Sequence, residues 1–236
     1  MSYTIHDTFT RGRTMLGGNA FETARVSFAS LSPTGGFVKR AIDIFIVLIA
    51  VPAFLPLFIG LVLMIKLTDP GPIFYGHKRI GFSGRTFRCW KFRTMATDGD
   101  EILERHFLSR PQDREIWLRE RKLDNDPRVT PIGAVLRKLS LDELPQVINV
   151  LTGEMSVVGP RPVVADELEI YSRSAEHYLR ARPGVTGLWQ VSGRSDTSYR
   201  ERIKLDRYYV SNWHPFLDLW VMLRTVPAVV MARGAR

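Results

Sequence analysis

The chain has 236 residues, 24% of them charged, and a formal net charge of +9 at pH 7, room for one catalytic body with appendages. Its single cysteine, Cys89, excludes an internal disulfide framework, and no Cys/His cluster has zinc-ligand spacing. A G-x-x-x-x-G-K-[ST] phosphate loop, a G-x-S-x-G nucleophile elbow and internal repeats are absent from the sequence.

Residues 1–36 are rich in Ser, Thr, Gly and Arg and hold too few apolar residues in register for a core, so they read as a flexible basic leader. Residues 37–67 follow as a membrane segment. Within it, Ala41 to Ile65 carries one charge, Asp43, and as a helix would measure about 37 Å, enough for a hydrocarbon layer of about 30 Å. Pro52 and Pro56 each remove a backbone donor and crowd the carbonyl four residues back, both toward one face, which predicts a bend. Lys39 and Arg40 precede the segment and Lys66 follows it. Basic residues mark the cytoplasmic side, so a helix that enters, bends and leaves through the same leaflet suits both flanks. An ordinary signal anchor crossing once is the alternative; a cleaved signal peptide does not start its apolar run at residue 41.

Residues 1–97 hold 12 Lys/Arg against 4 Asp/Glu and residues 98–236 hold 21 against 20, so most of the excess charge surrounds the apolar segment. This pattern points to an anionic lipid surface. Asp43 is expected at the interface near the helix start, favoured by the helix dipole.

Residues 68–236 read as the catalytic domain. Thr68 to Pro72 is a turn cluster, and Ile73–Tyr75 with Thr86–Trp90 predict a β-hairpin about Gly81, Ser83 and Gly84. Helices are predicted over 100–110 and 112–122, broken at Pro111. A short helix over 131–138 has Thr130 as its cap and Pro131 in its first turn. Further helices are expected over 144–151, ending at Thr152-Gly153, then 166–181, 197–210 and 216–231. The last carries Trp220 in an almost continuous apolar run, as a core helix or one in the headgroup layer. The fold class is mixed α/β, mostly helical: a proline-bent re-entrant membrane helix, a small globular domain with amphipathic interfacial helices, and a short hairpin.

Three constellations carry chemistry. Ser140-Leu141-Asp142-Glu143 has capping-box spacing, but Pro145 disturbs a regular first turn, and paired acids beside Arg137 and Lys138 also suit phosphate chemistry with a divalent ion. Lys78 to Arg93 is basic and interleaved with Phe82, Phe87, Trp90 and Phe92, which suits nucleic acid generically and a phosphate site beside a bilayer better. In Gly159-Pro160-Arg161-Pro162 the two prolines fix the backbone and aim a guanidinium suited to phosphate. Asp98-Gly99-Asp100 and Asp124-Asn125-Asp126 match the D-x-D of metal-dependent glycosyltransferases, a pattern common by chance.

Taken together, Lys39-Arg40-x-x-Asp43, Pro56, Pro70-Gly71-Pro72, Lys91 to Met95, Asp126-Pro127-Arg128, Leu136-Arg137-Lys138, Ser140 to Gln146, Val158 to Pro162, Arg182 to Arg194 and Leu205-Asp206-x-Tyr208-Tyr209-Val210 resemble the bacterial sugar transferases, the monotopic phosphoglycosyl transferases of exopolysaccharide and O-antigen initiation. The resemblance runs from about residue 37 to the C-terminus. It departs at Leu55, where relatives often have Ser before the bend proline.

The resemblance implies an enzyme on the cytoplasmic face of a bacterial inner membrane. It would move a hexose 1-phosphate from a UDP-sugar to undecaprenyl phosphate and release UMP, with galactose or glucose favoured over N-acetylated sugars. It assigns nucleophilic attack to Asp142, also a Mg2+ ligand, assisted by Glu143. Arg137 and Arg161 would contact phosphate, with Pro160, Lys91, Arg93, Gln190 and Arg194 in the pocket. A metal-dependent glycosyltransferase using Asp124 and Asp126 and releasing UDP is the competing enzyme class, and a membrane-anchored nucleic-acid module the competing binding class; no nucleic-acid partner is expected.

Overall fold

The computed structural model describes residues 32–120, 123, 125–193 and 197–230. Helix α1 spans Gly36–Thr68 and contains both Pro52 and Pro56. At 33 residues it is about 50 Å of helical rise, and among the described helices it alone is long and apolar enough to cross a membrane. Its burial is not uniform. Lys39, Asp43 and Val47 are buried at one end, Leu61 and Ile65 at the other, each series stepping by four residues along one face. Between them every residue from Val51 to Leu57 is exposed, and both prolines fall in that stretch.

The hairpin pairs β1 (Phe74–Ile80) with β2 (Thr86–Phe92) antiparallel, from Phe74 opposite Phe92 to Ile80 opposite Thr86. Both strands outrun the expected ones, because polar His77 to Arg79 continue β1 instead of ending it. Helices α2 (Gly99–Ser109) and α3 (Pro111–Glu120) meet at Pro111, as expected from proline's preference for a first turn. In α4 (Pro131–Lys138) the Thr130 hydroxyl accepts from the Gly133 N–H at 3.0 Å. Helix α5 (Gln146–Thr152) stops at Gly153, whose φ of +82° suits a residue without Cβ.

Strand β3 (Ser156–Val158) was not legible in the sequence; it pairs in parallel with β4 (Gly184–Thr186). The crossing is tight: a Cβ on Gly184 would lie 2.1 Å from the Gly159 nitrogen, so the two motifs holding these glycines must have them. The single helix expected over 166–181 is broken. Helix α6 (Ala165–Tyr171) ends at Ser172, with φ +48°, before α7 (Ala175–Leu179). A continuous helix would set Tyr171 and Tyr178 about 10 Å apart along its axis. The break brings their rings to 5.5 Å in the core.

Helices α8 (Leu188–Ser192), α9 (Tyr199–Ser211) and α10 (Pro215–Val230) are the last of the described elements. One face of α10 buries Val221 and Asp218, while Phe216, Leu219, Trp220, Leu223 and Val226 stay exposed, so the helix is both core and apolar surface.

Two expectations about α1 change. Asp43 lies in the third turn, beyond the reach of the helix dipole, and is 2% exposed. Both its oxygens accept from the Ser156 hydroxyl (2.9 and 2.8 Å), and one also accepts from the Val157 N–H at 3.0 Å, bolting the helix to β3. Lys39 is no surface cation either: its ammonium sits 2.6 Å from buried Asp218, which also accepts from Tyr209 and Trp213. Arg40 donates to the carbonyls of Val150 and Leu151. These contacts fasten the helix to the body, and Lys39, buried and paired, adds no surface charge.

Candidate active site

The local path of the chain at Ser140 builds the site. Ser140 takes a left-handed conformation (φ +55°) and makes no side-chain cap, so the capping-box reading does not hold. A single 3-10 turn, Leu141–Glu143, follows before Pro145 opens α5. Leu141 and Leu144, three apart and therefore eclipsed in such a turn, pack toward Phe92, Leu136, Leu61 and Ile65. The intervening acids are left to face the other way.

There they meet β2. The Lys91 ammonium lies 3.2 Å from Asp142 Oδ2 and 2.6 Å from Glu143 Oε1. A partly open cleft lies beside them, lined by Lys91, Glu143, Arg161, Gln190, Arg79 and Cys89 among others, with Asp142 at its edge and not in its lining. Burial pushes the Cys89 thiol up to about 11, so it is not a thiolate near neutral pH, leaving the carboxylates as the cleft's candidate nucleophiles. The Gln190 amide donates to the Val185 carbonyl at 3.3 Å, while its buried oxygen has no hydrogen-bond partner among the described residues.

The other candidate residues are distributed less evenly. Arg137 is held by the Thr94 hydroxyl at 2.9 Å, near enough for its charge to favour ionised Asp142. The Pro160 carbonyl accepts from the Gly184 N–H at 2.8 Å, so this residue braces the turn that presents Arg161. Arg93 is turned onto the Asp69 main chain and carboxylate, fastening the end of α1 instead of lining the cleft. Arg194 lies outside the described residues.

Of the D-x-D pairs, Asp124 is likewise outside them, and Asp126 is occupied by Arg128 through three hydrogen bonds of 2.6 to 3.0 Å. Asp98 is half-exposed, 3.7 Å from Arg105. The basic run of residues 78–93 is no continuous surface either, since Arg79 and Lys91 turn into the cleft. Arg79 stood in the basic run and Gln146 in the acid motif, but neither was assigned to the site from sequence; the structure adds both to the cleft's lining.

Among the described residues no three His, Cys, Asp or Glu side chains form a metal cluster. Asp142 and Glu143 do offer two hard oxygen donors side by side, the partial donor set that Mg2+ takes when substrate phosphates and water supply the rest.

The profile described as "Bacterial sugar transferase" matches residues 34–232. The chain belongs to that family. Among its relatives, an "Exopolysaccharide production protein ExoY" of Sinorhizobium fredii is 54% identical over 206 residues, 87% of this chain and 91% of the relative. An "Undecaprenyl-phosphate galactose phosphotransferase" of Salmonella typhimurium is 46% identical over 200 residues, 84% of this chain but 42% of that longer protein. A "UDP-N-acetylgalactosamine-undecaprenyl-phosphate N-acetylgalactosaminephosphotransferase" of Aeromonas hydrophila is 37% identical over 211 residues, covering 87% and 46%. This bacterial sugar transferase is an enzyme, and its paired acids lie within the matched span.

The charges in the transferase's cleft are strongly coupled. Burial outweighs the pull of Lys91 and holds Asp142 above the ordinary carboxylate range. Burial also acts upward on Glu143, but Lys91, Arg161 and Arg79 together hold it below its usual value. Burial would lower Lys91, yet the two carboxylates prevail and raise it. Lys91→Met removes the cation common to both acids, so both folded-state values rise above those of the unfolded chain. Stability from such groups is complete below about pH 4 and drains as pH climbs through the raised values, whereas wild-type Lys91 keeps its contribution until above pH 10. The stability deficit of Lys91→Met should therefore widen between pH 5 and pH 8, by on the order of 2 kcal/mol. Unfolding midpoints at the two pH values measure it, and an equal deficit at both would show that Lys91 does not hold the acids ionised.

Proposed function

We propose that this transferase moves a sugar 1-phosphate from a UDP-sugar to undecaprenyl phosphate, releasing UMP, at the start of exopolysaccharide assembly. The observation that carries the reading is the pair Asp142-Glu143 gathered on Lys91, at the edge of a cleft lined by Glu143, Lys91 and Arg161. The relatives' names support lipid-carrier chemistry, and the galactose-specific relative is more similar than the N-acetylgalactosamine one (46% against 37%), in favour of a hexose without an N-acetyl group.

Asp142 is the nucleophile in this reading. A carboxylate oxygen forms a bond to the sugar-bearing phosphorus, and the phosphorus–oxygen bond to UMP breaks, its electron pair leaving with UMP. An oxygen of the lipid phosphate then attacks the aspartyl phosphosugar, releasing the carboxylate and forming the lipid diphosphosugar. Lys91 and Arg161 stabilise charge on the phosphoryl oxygens, with Arg137 beside them. Asp142 and Glu143 would hold Mg2+, which supplies further charge neutralisation when bound.

The way α1 is anchored supports one reading of the membrane arrangement. Both of its buried ends are fastened to one body, through Asp43 and β3 at one end and Ile65 and α4 at the other, while the exposed apolar middle carries the two prolines. A helix crossing the bilayer once would separate its ends by the full membrane thickness, so α1 is read as dipping into the cytoplasmic leaflet and returning.

Asp142→Asn keeps the contact between Lys91 and Glu143, so it should stay folded and membrane-bound while UMP release falls at least about a thousandfold. Near-normal release would remove Asp142 from the nucleophile's role. With Cys89 buried, a cysteine introduced as Ser32→Cys should resist an impermeant maleimide in intact cells and react after permeabilisation. Labelling from outside would contradict the returning helix.

A further inference from the structure

Beside the cleft at Glu143 lies a second, partly open pocket, walled by α6, α8, α9 and the segment after β3. Arg161 lines both. In the second cavity its guanidinium lies 5.7 Å from the centre of the Trp189 ring, and that of Arg202 lies 4.4 Å from the same ring. Among the described residues neither arginine has a carboxylate within ion-pair distance. Among the described residues Arg202 spends only its Nε in hydrogen bonding, on the Thr197 carbonyl at 3.2 Å.

The acids nearby balance them only in part: Glu143 feels the charge of Arg161 from the first cleft and is itself held by Lys91. Glu167 is paired with Arg79 at 3.3 Å. Burial pushes Asp206 up to about 7, and its carboxyl accepts from the Tyr171 hydroxyl at 2.8 Å. Two half-buried guanidiniums on one indole, neither in direct contact with a carboxylate, leave the cavity cationic, which suits an anionic ligand with a flat, partly apolar portion. None of the cavity's walls comes from α1, α4 or α5, the elements at the membrane helix, so the lipid phosphate is poorly placed to be that anion.

We infer that this cavity receives the nucleoside monophosphate half of the donor, its phosphate between Arg161 and Arg202 and its nucleoside toward Trp189 and Tyr199. The inference rests on the proposed function. A diphosphate whose sugar-bearing phosphorus faces Asp142 has its second phosphorus one bridging oxygen away, and Arg161 is the side chain shared by the two spaces. Arg202 thus binds the leaving group.

The test uses the full chain in lipid nanodiscs with UMP as probe. Arg202→Ala should bind UMP at least tenfold more weakly than wild type and raise the KM for the UDP-sugar similarly. The KM for undecaprenyl phosphate and the unfolding midpoint without ligand should stay unchanged. Arg202→Lys, which keeps the charge without the planar fork, should lose UMP affinity severalfold and decides the matter if the alanine variant unfolds. Unaltered UMP affinity in the folded variants, or a rise confined to the lipid KM, would overturn the inference. Loss of UMP binding with no UDP-sugar consumed by wild type would uphold this site and defeat the functional reading. Turnover by a wild type that shows no UMP binding would do the reverse.

Discussion

One ammonium shared by two carboxylates sets the geometry of this protein. Lys91 comes from the hairpin and the acids from a 3-10 turn fifty residues later, so their contact fixes how the two segments dock. The neighbours of these residues carry the arrangement outward. Successive residues of a strand point to opposite faces, and Phe92, directly after Lys91, is buried with Leu61 and Ile65 of the membrane helix. Leu141, beside Asp142, packs into the same cluster. The depth of the acids relative to α1 is therefore set by adjacent side chains, with no separate positioning device.

The other end of α1 is held by polar contacts that are difficult to exchange. Asp43 takes up the Ser156 hydroxyl and the Val157 N–H, and each donor left unsatisfied there would cost about 1–3 kcal/mol. Lys39 and Asp218 are both almost fully buried, with Tyr209 and Trp213 completing the hydrogen bonds of the carboxylate. Buried ion pairs stabilise little overall, but removing one partner is costly, so such a pair specifies one docking. With both ends specified, the proline-bearing middle of α1 is the stretch left exposed between them.

Much of this was legible from the chain. Helix caps with local chemistry, such as Thr130-Pro131, appeared where the residues placed them, and so did the break at Pro111. The acids at 142 and 143 stood out because Pro145 spoils the capping box they otherwise imitate. What stayed hidden depended on distant partners. Strands β3 and β4 have three residues each, too few for a period-two pattern, and exist because Gly159 and Gly184 permit close approach. The break at Ser172 follows from the packing of Tyr171 against Tyr178, and Asp43 found its partners more than a hundred residues away. Arg93, read as a pocket residue from a basic motif, is taken by Asp69, because a cation's sequence neighbours do not reveal which acid reaches it.

The central claim is that Asp142 becomes covalently attached to the phosphosugar before the lipid does. Rapid quenching of the enzyme with UDP-sugar in the absence of lipid acceptor, followed by peptide mass analysis, tests this directly. The account predicts a hexose-phosphate mass increment on the peptide containing Asp142, appearing in step with UMP and lost when undecaprenyl phosphate is added. Lipid-linked product forming at a normal rate with no modified peptide at any time would contradict it.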